Sequence, residues 1–162
     1  MELFFPYFRL LEEGIEVDIA VPKKGHIHGE NGYSLKVDLT FDRINPDKYD
    51  LLIIPGGAPN GAPTTVRKSA DAQKIAKSFF SKNKPVASIC HGPYLLVSAN
   101  LVKGRKLTSY WHDGVPEEIA NAGGTWYDKE VIVDKNLVTS RYPPDLPAFM
   151  REIMKMVRKI KK

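Results

Sequence analysis

Cysteine is nearly absent from this chain: Cys90 stands alone among 162 residues, which excludes a framework of intrachain disulfides and leaves a single thiol to explain. Long apolar runs are missing too. No stretch approaches the roughly 18 residues that a membrane span requires. The opening Met1-Glu2-Leu3-Phe4-Phe5 has no basic segment before Pro6 interrupts it, so neither a membrane partner nor a secretory leader is expected and a cytoplasmic location is. Length leaves no room for a second domain, since 162 residues of which 43% are hydrophobic suit one domain over 1–162 with one sizeable core. Most of the chain also lacks an excess of either charge. The net charge is +5, but Arg151, Lys155, Arg158, Lys159, Lys161 and Lys162 against Glu152 account for all of it. Cations at the end of a C-terminal helix complement its dipole, so a solvated tail is expected there and no nucleic-acid partner.

What is present is arranged around Pro85-Val86-Ala87-Ser88-Ile89-Cys90-His91-Gly92-Pro93. Val86 to Ile89 is a short β-favouring run, whereas Pro93 opens an apolar segment at a first helical position. Cys90 therefore falls at a sharp strand-to-helix joint, beside free backbone N–H groups and the positive end of a helix dipole. Those two influences predict a thiol pKa below the ordinary value and a nucleophilic sulfur. The competing reading is a buried structural cysteine. His91 supplies an adjacent base or imidazolium, and Gly92 removes a side chain that would obstruct an approaching substrate.

Elsewhere the pattern alternates between strands and helices. Leu3 to Leu11 reads as an amphipathic helix closed by Gly14, Ile15 to Val21 as a strand, Pro22 to Tyr33 as a loop and Ser34 to Thr40 as a half-exposed strand. His26 and His28 alternate in that loop, but the residues around them do not make up a recognisable ligand set, so a surface loop is favoured and neither a metal nor a cofactor is expected. Asp50 to Ile54 is an apolar strand running through Pro55 into Gly56 and Gly57, where backbone N–H groups can approach an oxyanion closely. Ser69 caps a helix with Ala72, Ile75, Ala76, Phe79 and Phe80 on one face. Lys106 to Tyr110 suggests a short strand, followed by Trp111-His112-Asp113 and a helix from Pro116 to Gly123. Residues 130–134 and 136–140 form a hairpin about Lys135. A last helix from about Asp145 places Met150, Ile153, Met154, Val157 and Ile160 on its core side. This is an α/β chain with a mostly parallel sheet and a site at the carboxyl ends of its strands.

The segment Ala87-Ser88-Ile89-Cys90-His91-Gly92-Pro93 is similar, nearly letter for letter, to the nucleophile elbow of the PfpI-type intracellular proteases. Their superfamily includes the Parkinsonism-associated deglycase and class I glutamine amidotransferase domains. Leu3-Phe4-Phe5-Pro6-Tyr7, Gly32-Tyr33-Ser34, Asp38-Leu39-Thr40-Phe41-Asp42, Pro55-Gly56-Gly57 and Asp145 to Arg151 resemble further segments of it. The resemblance implies a flavodoxin-like three-layer sandwich with helices on both faces of the sheet. It also implies a site made of Cys90, His91 and Glu2, with Gly57, Gly56 and Gly92 binding substrate or its oxyanion. Relatives that act as proteases complete a triad with a glutamate from a neighbouring subunit. The corresponding stretch here, Ala58-Pro59-Asn60-Gly61-Ala62-Pro63-Thr64-Thr65, is longer and offers Thr64, so another acid such as Asp113 would have to serve. The family's opening strand has no counterpart before Met1, and a short apolar segment upstream is expected. The implied function is a cysteine-nucleophile hydrolase of peptidase type, with glyoxalase or deglycase action on 2-oxoaldehydes or their protein adducts as the alternative. A redox sensor or holding chaperone is a third reading. The implied partners are a small carbonyl or peptide substrate and further copies of the chain in a homo-oligomer.

Overall fold

The computed structural model describes residues 1–29, 32–37, 39–58 and 60–160. Asp38, Pro59, Lys161, Lys162 and the side chain of Ile160, all drawn on in the sequence reading, lie outside the described residues. In chain order the elements are α1 (Phe4–Glu12), β1 (Ala20–Val21), β2 (Gly25–His28), β3 (Ser34–Val37), β4 (Leu39–Thr40), β5 (Leu52–Ile54), α2 (Ala62–Lys68) and α3 (Ala70–Ser81). They continue with β6 (Val86–Ile89), α4 (Pro93–Ser98), β7 (Lys106–Leu107), α5 (Val115–Asn121), β8 (Thr125–Trp126), β9 (Val131–Asp134), β10 (Leu137–Ser140) and α6 (Leu146–Ile160).

The central sheet has the order β5-β6-β10-β9, with β5, β6 and β10 parallel and β9 antiparallel to β10. The β9–β10 hairpin turns through Lys135, whose φ of +56° is the left-handed geometry that a tight hairpin demands. Every residue of β6 is buried, as expected of a parallel strand with neighbours on both edges and helices on both faces. Its side chains alternate between two cores. Val86 and its partner Leu137 pack with Phe79 of α3, Leu96 of α4 and Ile119 of α5. Ala87 and its partner Val138, together with Ile89, pack on the other face against Leu10 of α1 and against Phe149, Met150 and Ile153 of α6. The three-layer α/β arrangement is therefore present, and it sets the carboxyl ends of β5, β6 and β10 side by side at one edge of the sheet.

Local chemistry explains the helix ends. Ser69 Oγ accepts the Ala72 N–H at 3.3 Å to cap α3, and Pro63, Pro93 and Pro116 stand in the first turns of α2, α4 and α5. Three expectations need correcting. Regular strand over Ile15–Val21 is confined to Ala20–Val21, which pairs with β4 in a separate ladder. Ile15 and Val17 instead pack, partly buried, against the second core. The presumed loop Pro22–Tyr33 contains β2, which pairs antiparallel with β3 from Gly25↔Val37 to His28↔Ser34. Lys106–Tyr110 is strand only at Lys106–Leu107, because beyond that point the backbone turns in to clamp the elbow described below. Among the described residues, no helix is long and apolar enough to cross a membrane.

Phe149 is wholly buried between α6 and the sheet. Phe149→Ala should lower the unfolding free energy by about 3–5 kcal/mol, the cost of deleting a buried aromatic and leaving its cavity, read from urea midpoints.

Candidate active site

β6 ends in Cys90 at φ +62°, a left-handed conformation that costs a side-chain-bearing residue on the order of 1–3 kcal/mol and persists only where neighbours enforce it. Two neighbours do. The Cys90 N–H donates to Ser140 O at 3.1 Å, and its carbonyl accepts the Tyr110 N–H at 3.0 Å. The elbow is thus clamped between the end of β10 and the segment after β7. Gly92 is indispensable beneath it, since a Cβ there would lie 2.5 Å from Ile54 O and 2.6 Å from Ser88 Oγ. The space Gly92 leaves faces the sheet and not the mouth of the site, contrary to the expectation that it clears a path for substrate.

Cys90, His91, Glu2, Gly56 and Gly57 come together at this point. Glu2 Oε2 accepts the Gly56 N–H at 2.9 Å and shares a hydrogen bond with the Cys90 thiol. The backbone N–H groups of Gly57 and His91 both point at the sulfur. Room for this convergence depends on Gly56: a Cβ on it would stand 2.6 Å from both Cys90 Cβ and Glu2 Oε2. On the other side His91 Nδ1 lies 3.2 Å from Cys90 Sγ, while its Nε2 lies 2.9 Å from Asp113 Oδ2. With Asp113 as acceptor, Nε2 carries the proton and Nδ1 is free to take one from the thiol. Cys90, His91 and Asp113 thereby form an in-chain triad. The Tyr110 ring packs 4.8 Å from the imidazole. Thr64 lies on α2.

The electrostatics reverse one expectation. Burial, then the charge of Glu2 and its hydrogen bond, push the Cys90 thiol up to about 12, against the smaller opposing pull of the Gly57 and His91 N–H groups. Burial also raises Glu2, while hydrogen bonds from Cys90 and Gly56 oppose it. The thiol and the carboxyl are in contact and burial resists charge on both, so the proton that Cys90 must lose has an acceptor within hydrogen-bond reach. The sulfur is therefore not a free thiolate in waiting; it ionises by passing its proton to a neighbour.

His26 and His28 take no part in the contacts given above. They sit on β2 with ring centroids 6.2 Å apart, and no group of three or more potential metal ligands forms among the described residues. Residues that sequence reasoning missed lie around Asp113. Tyr94 reads only as part of an apolar helix, although its position three residues after His91 places it on the same helical face. Arg67 gives no signal in the sequence.

The match to known proteins covers this whole arrangement. The DJ-1/PfpI family model aligns with residues 1–156. The chain belongs to the DJ-1/PfpI family. Deglycase PfpI of Pyrococcus furiosus is 53% identical over 158 residues, covering 98% of this chain and 92% of the relative. The putative cysteine protease YraA of Bacillus subtilis is 35% identical over 144 residues, 89% of this chain and 81% of its own. Among solved structures, a two-domain protein of Anabaena variabilis with DJ-1/ThiJ/PfpI-like and ferritin-like domains superposes with a TM-score of 0.89 at 29% identity. That superposition covers 96% of this chain and 44% of the Anabaena chain. DJ-1/PfpI relatives thus carry both deglycase and protease names.

Proposed function

We propose that this chain is a cysteine-dependent enzyme for small reactive carbonyls, acting as a glyoxalase or deglycase on 2-oxoaldehydes or their adducts with amines. The carrying observation is the Glu2 carboxyl in hydrogen-bond contact with a buried Cys90 thiol, with two backbone N–H groups aimed at the same place. With methylglyoxal, the sulfur adds to the aldehyde carbon as its proton passes to Glu2. The aldehyde oxygen becomes an alkoxide that the Gly57 and His91 N–H groups stabilise, and protonation by Glu2 gives a hemithioacetal. Glu2, again a carboxylate, removes the hydrogen from the former aldehyde carbon and returns it to the ketone carbon through an enediol. The product is a 2-hydroxyacyl thioester. Water then cleaves it to the hydroxy acid and restores the thiol. The aldehyde is oxidised and the ketone reduced within one molecule, so no external oxidant or cofactor enters. The similarity to proteins named deglycase supports this reading, including the Escherichia coli protein/nucleic acid deglycase 2 at 41% identity over 133 residues.

A peptidase reading stands second, favoured by Asp113 on His91 Nε2, which supplies in the same chain the acid that Thr64 cannot. Self-association is proposed as well. Met1, Phe5, Phe8 and Leu11 are exposed, and the first, second and third of these line a groove of about 480 Å³ on α1 that does not include Cys90. A cytoplasmic location is proposed on composition alone.

The deciding assay offers the purified protein methylglyoxal, glycated amino acids, peptide esters and unfolded protein, with Cys90→Ala as the control for contamination. Lactate formed from methylglyoxal by the wild type and not by the control supports the first reading. Peptide cleavage without lactate replaces it with the second.

A further inference from the structure

Asp113 occupies an exposed turn: its side chain is 41% accessible and its φ is +61°. The turn closes on itself by a long bond, Val115 N–H to His112 O at 3.3 Å. An exposed carboxylate there has several rotamers open to it, and holding one against His91 has an entropic cost that something must offset. Two side chains from other elements bear on it. Tyr94, in the first turn of α4, donates its hydroxyl to the Asp113 carbonyl, and its ring centroid lies 5.8 Å from that of His91. Arg67 of α2 lays its guanidinium 4.3 Å over the Tyr94 ring. The same guanidinium forks onto both oxygens of Glu118 on α5, at 3.1 and 2.5 Å, and its Nε donates to Ser98 Oγ of α4 at 2.9 Å.

We propose that Tyr94 and Arg67 are positioning residues that aim Asp113 at His91 and thereby decide which imidazole nitrogen carries the proton. The groups facing His91 are Cys90, Glu2, Tyr94, Tyr110 and Asp113, and Asp113 is the one at hydrogen-bond distance from Nε2. Shift the Asp113 backbone and Nε2 loses its acceptor. The proton then distributes between both nitrogens, and the share on Nδ1 can no longer accept from the thiol. The Tyr94 hydroxyl remains a donor because burial, then the charge of Glu118, raises its pKa. Arg67 suits its post because a planar fork grips a carboxylate bidentately while its face stacks on an aromatic ring, which an ammonium cannot reproduce.

The inference rests on the second reading above, in which the His91 imidazole takes the proton of Cys90, so it is tested without substrate. In protein labelled with 15N at histidine, at pH about 9 and hence above the ordinary histidine pKa of about 6.5, His91 is assigned by comparison with His91→Gln and its protonated nitrogen identified. The wild type should carry the proton on Nε2. Tyr94→Phe, which keeps the ring and its packing, should yield a mixture with Nδ1–H, and Arg67→Met and Arg67→Lys should do the same. In an Asp113→Asn background, Tyr94→Phe should change nothing further. A Tyr94→Phe protein that melts like the wild type and keeps its proton on Nε2 overturns the proposal, as does a further tautomer change in the Asn background. Should the Arg67 variants not fold, Tyr94→Phe, which deletes one oxygen atom, carries the test. Failure of the wild type to consume methylglyoxal would sink the proposed function and leave this result standing.

Discussion

Glu2→Gln is expected to lower kcat/KM for methylglyoxal by roughly 10²–10⁴-fold, the range that one positioned acid–base group supplies, while making Cys90 easier to ionise. The two effects run in opposite directions because Glu2 does two things to the sulfur. As an anion it opposes a second negative charge, which with burial pushes the thiol up to about 12. As a base it takes the proton the thiol must lose, and it later moves hydrogen between the two carbons of the substrate. Glutamine removes the charge and the base together. Alkylation of Cys90 by iodoacetamide at pH 8 should therefore accelerate in the variant as turnover collapses. The pH profile follows from the same group. Burial holds Glu2 above its ordinary 4.5, and once protonated it cannot accept from the thiol, so wild-type activity should fall on acidification at a pH higher than 4.5. That acid limb should vanish in Glu2→Gln. Unchanged turnover in the variant would remove Glu2 from the mechanism.

Asp113→Asn should separate the two chemistries that the site can support. Amide or ester cleavage needs His91 to take a proton from the thiol and return it to a leaving group, and an asparagine opposite Nε2 favours the wrong tautomer, a change that costs up to about 10⁴-fold in a triad. Addition of the thiol to an aldehyde has no leaving group and has Glu2 at hand, so its rate should change less than about 10-fold. The comparison is kcat/KM for a peptide ester and for methylglyoxal on the same two proteins. Equal losses on both substrates would place His91 in the aldehyde reaction as well and end the division of labour.

The layered fold is legible because its evidence is periodic and local: a short β-favouring run at β6, proline and Ser69 at helix starts, and an apolar stripe on α6. What pairing decides is less visible. Ile15–Ile19 has the composition of a strand, yet strand requires a partner at the right distance, whereas the polar, glycine-bearing Gly25–His28 finds one in β3. The site divides in the same way. Cys90, His91 and the paired glycines announce themselves through the turn they must make. Asp113 lies 22 residues from His91 and reaches it through a turn whose direction depends on contacts from other elements, the Tyr94 hydroxyl among them. The thiol misleads for a related reason. Its neighbours in sequence display the end of a helix, but α4 is only six residues long, and neither the depth of burial nor the facing charge of Glu2 is written beside it.

The elbow strand and the Asp113 turn also differ in how firmly they are held. β6 is hydrogen-bonded on both edges and lies between two cores, so its amides should exchange with solvent only when the whole molecule opens. The turn bearing Asp113 is exposed and belongs to no sheet, so it should exchange through cheaper local opening. Warming the protein would then release the acid while the sulfur, fixed at the end of β6, remains in place. Below the global melt there should be a temperature band in which the enzyme has lost its triad yet still adds its thiol to an aldehyde, its reaction preference governed by heat before its fold is.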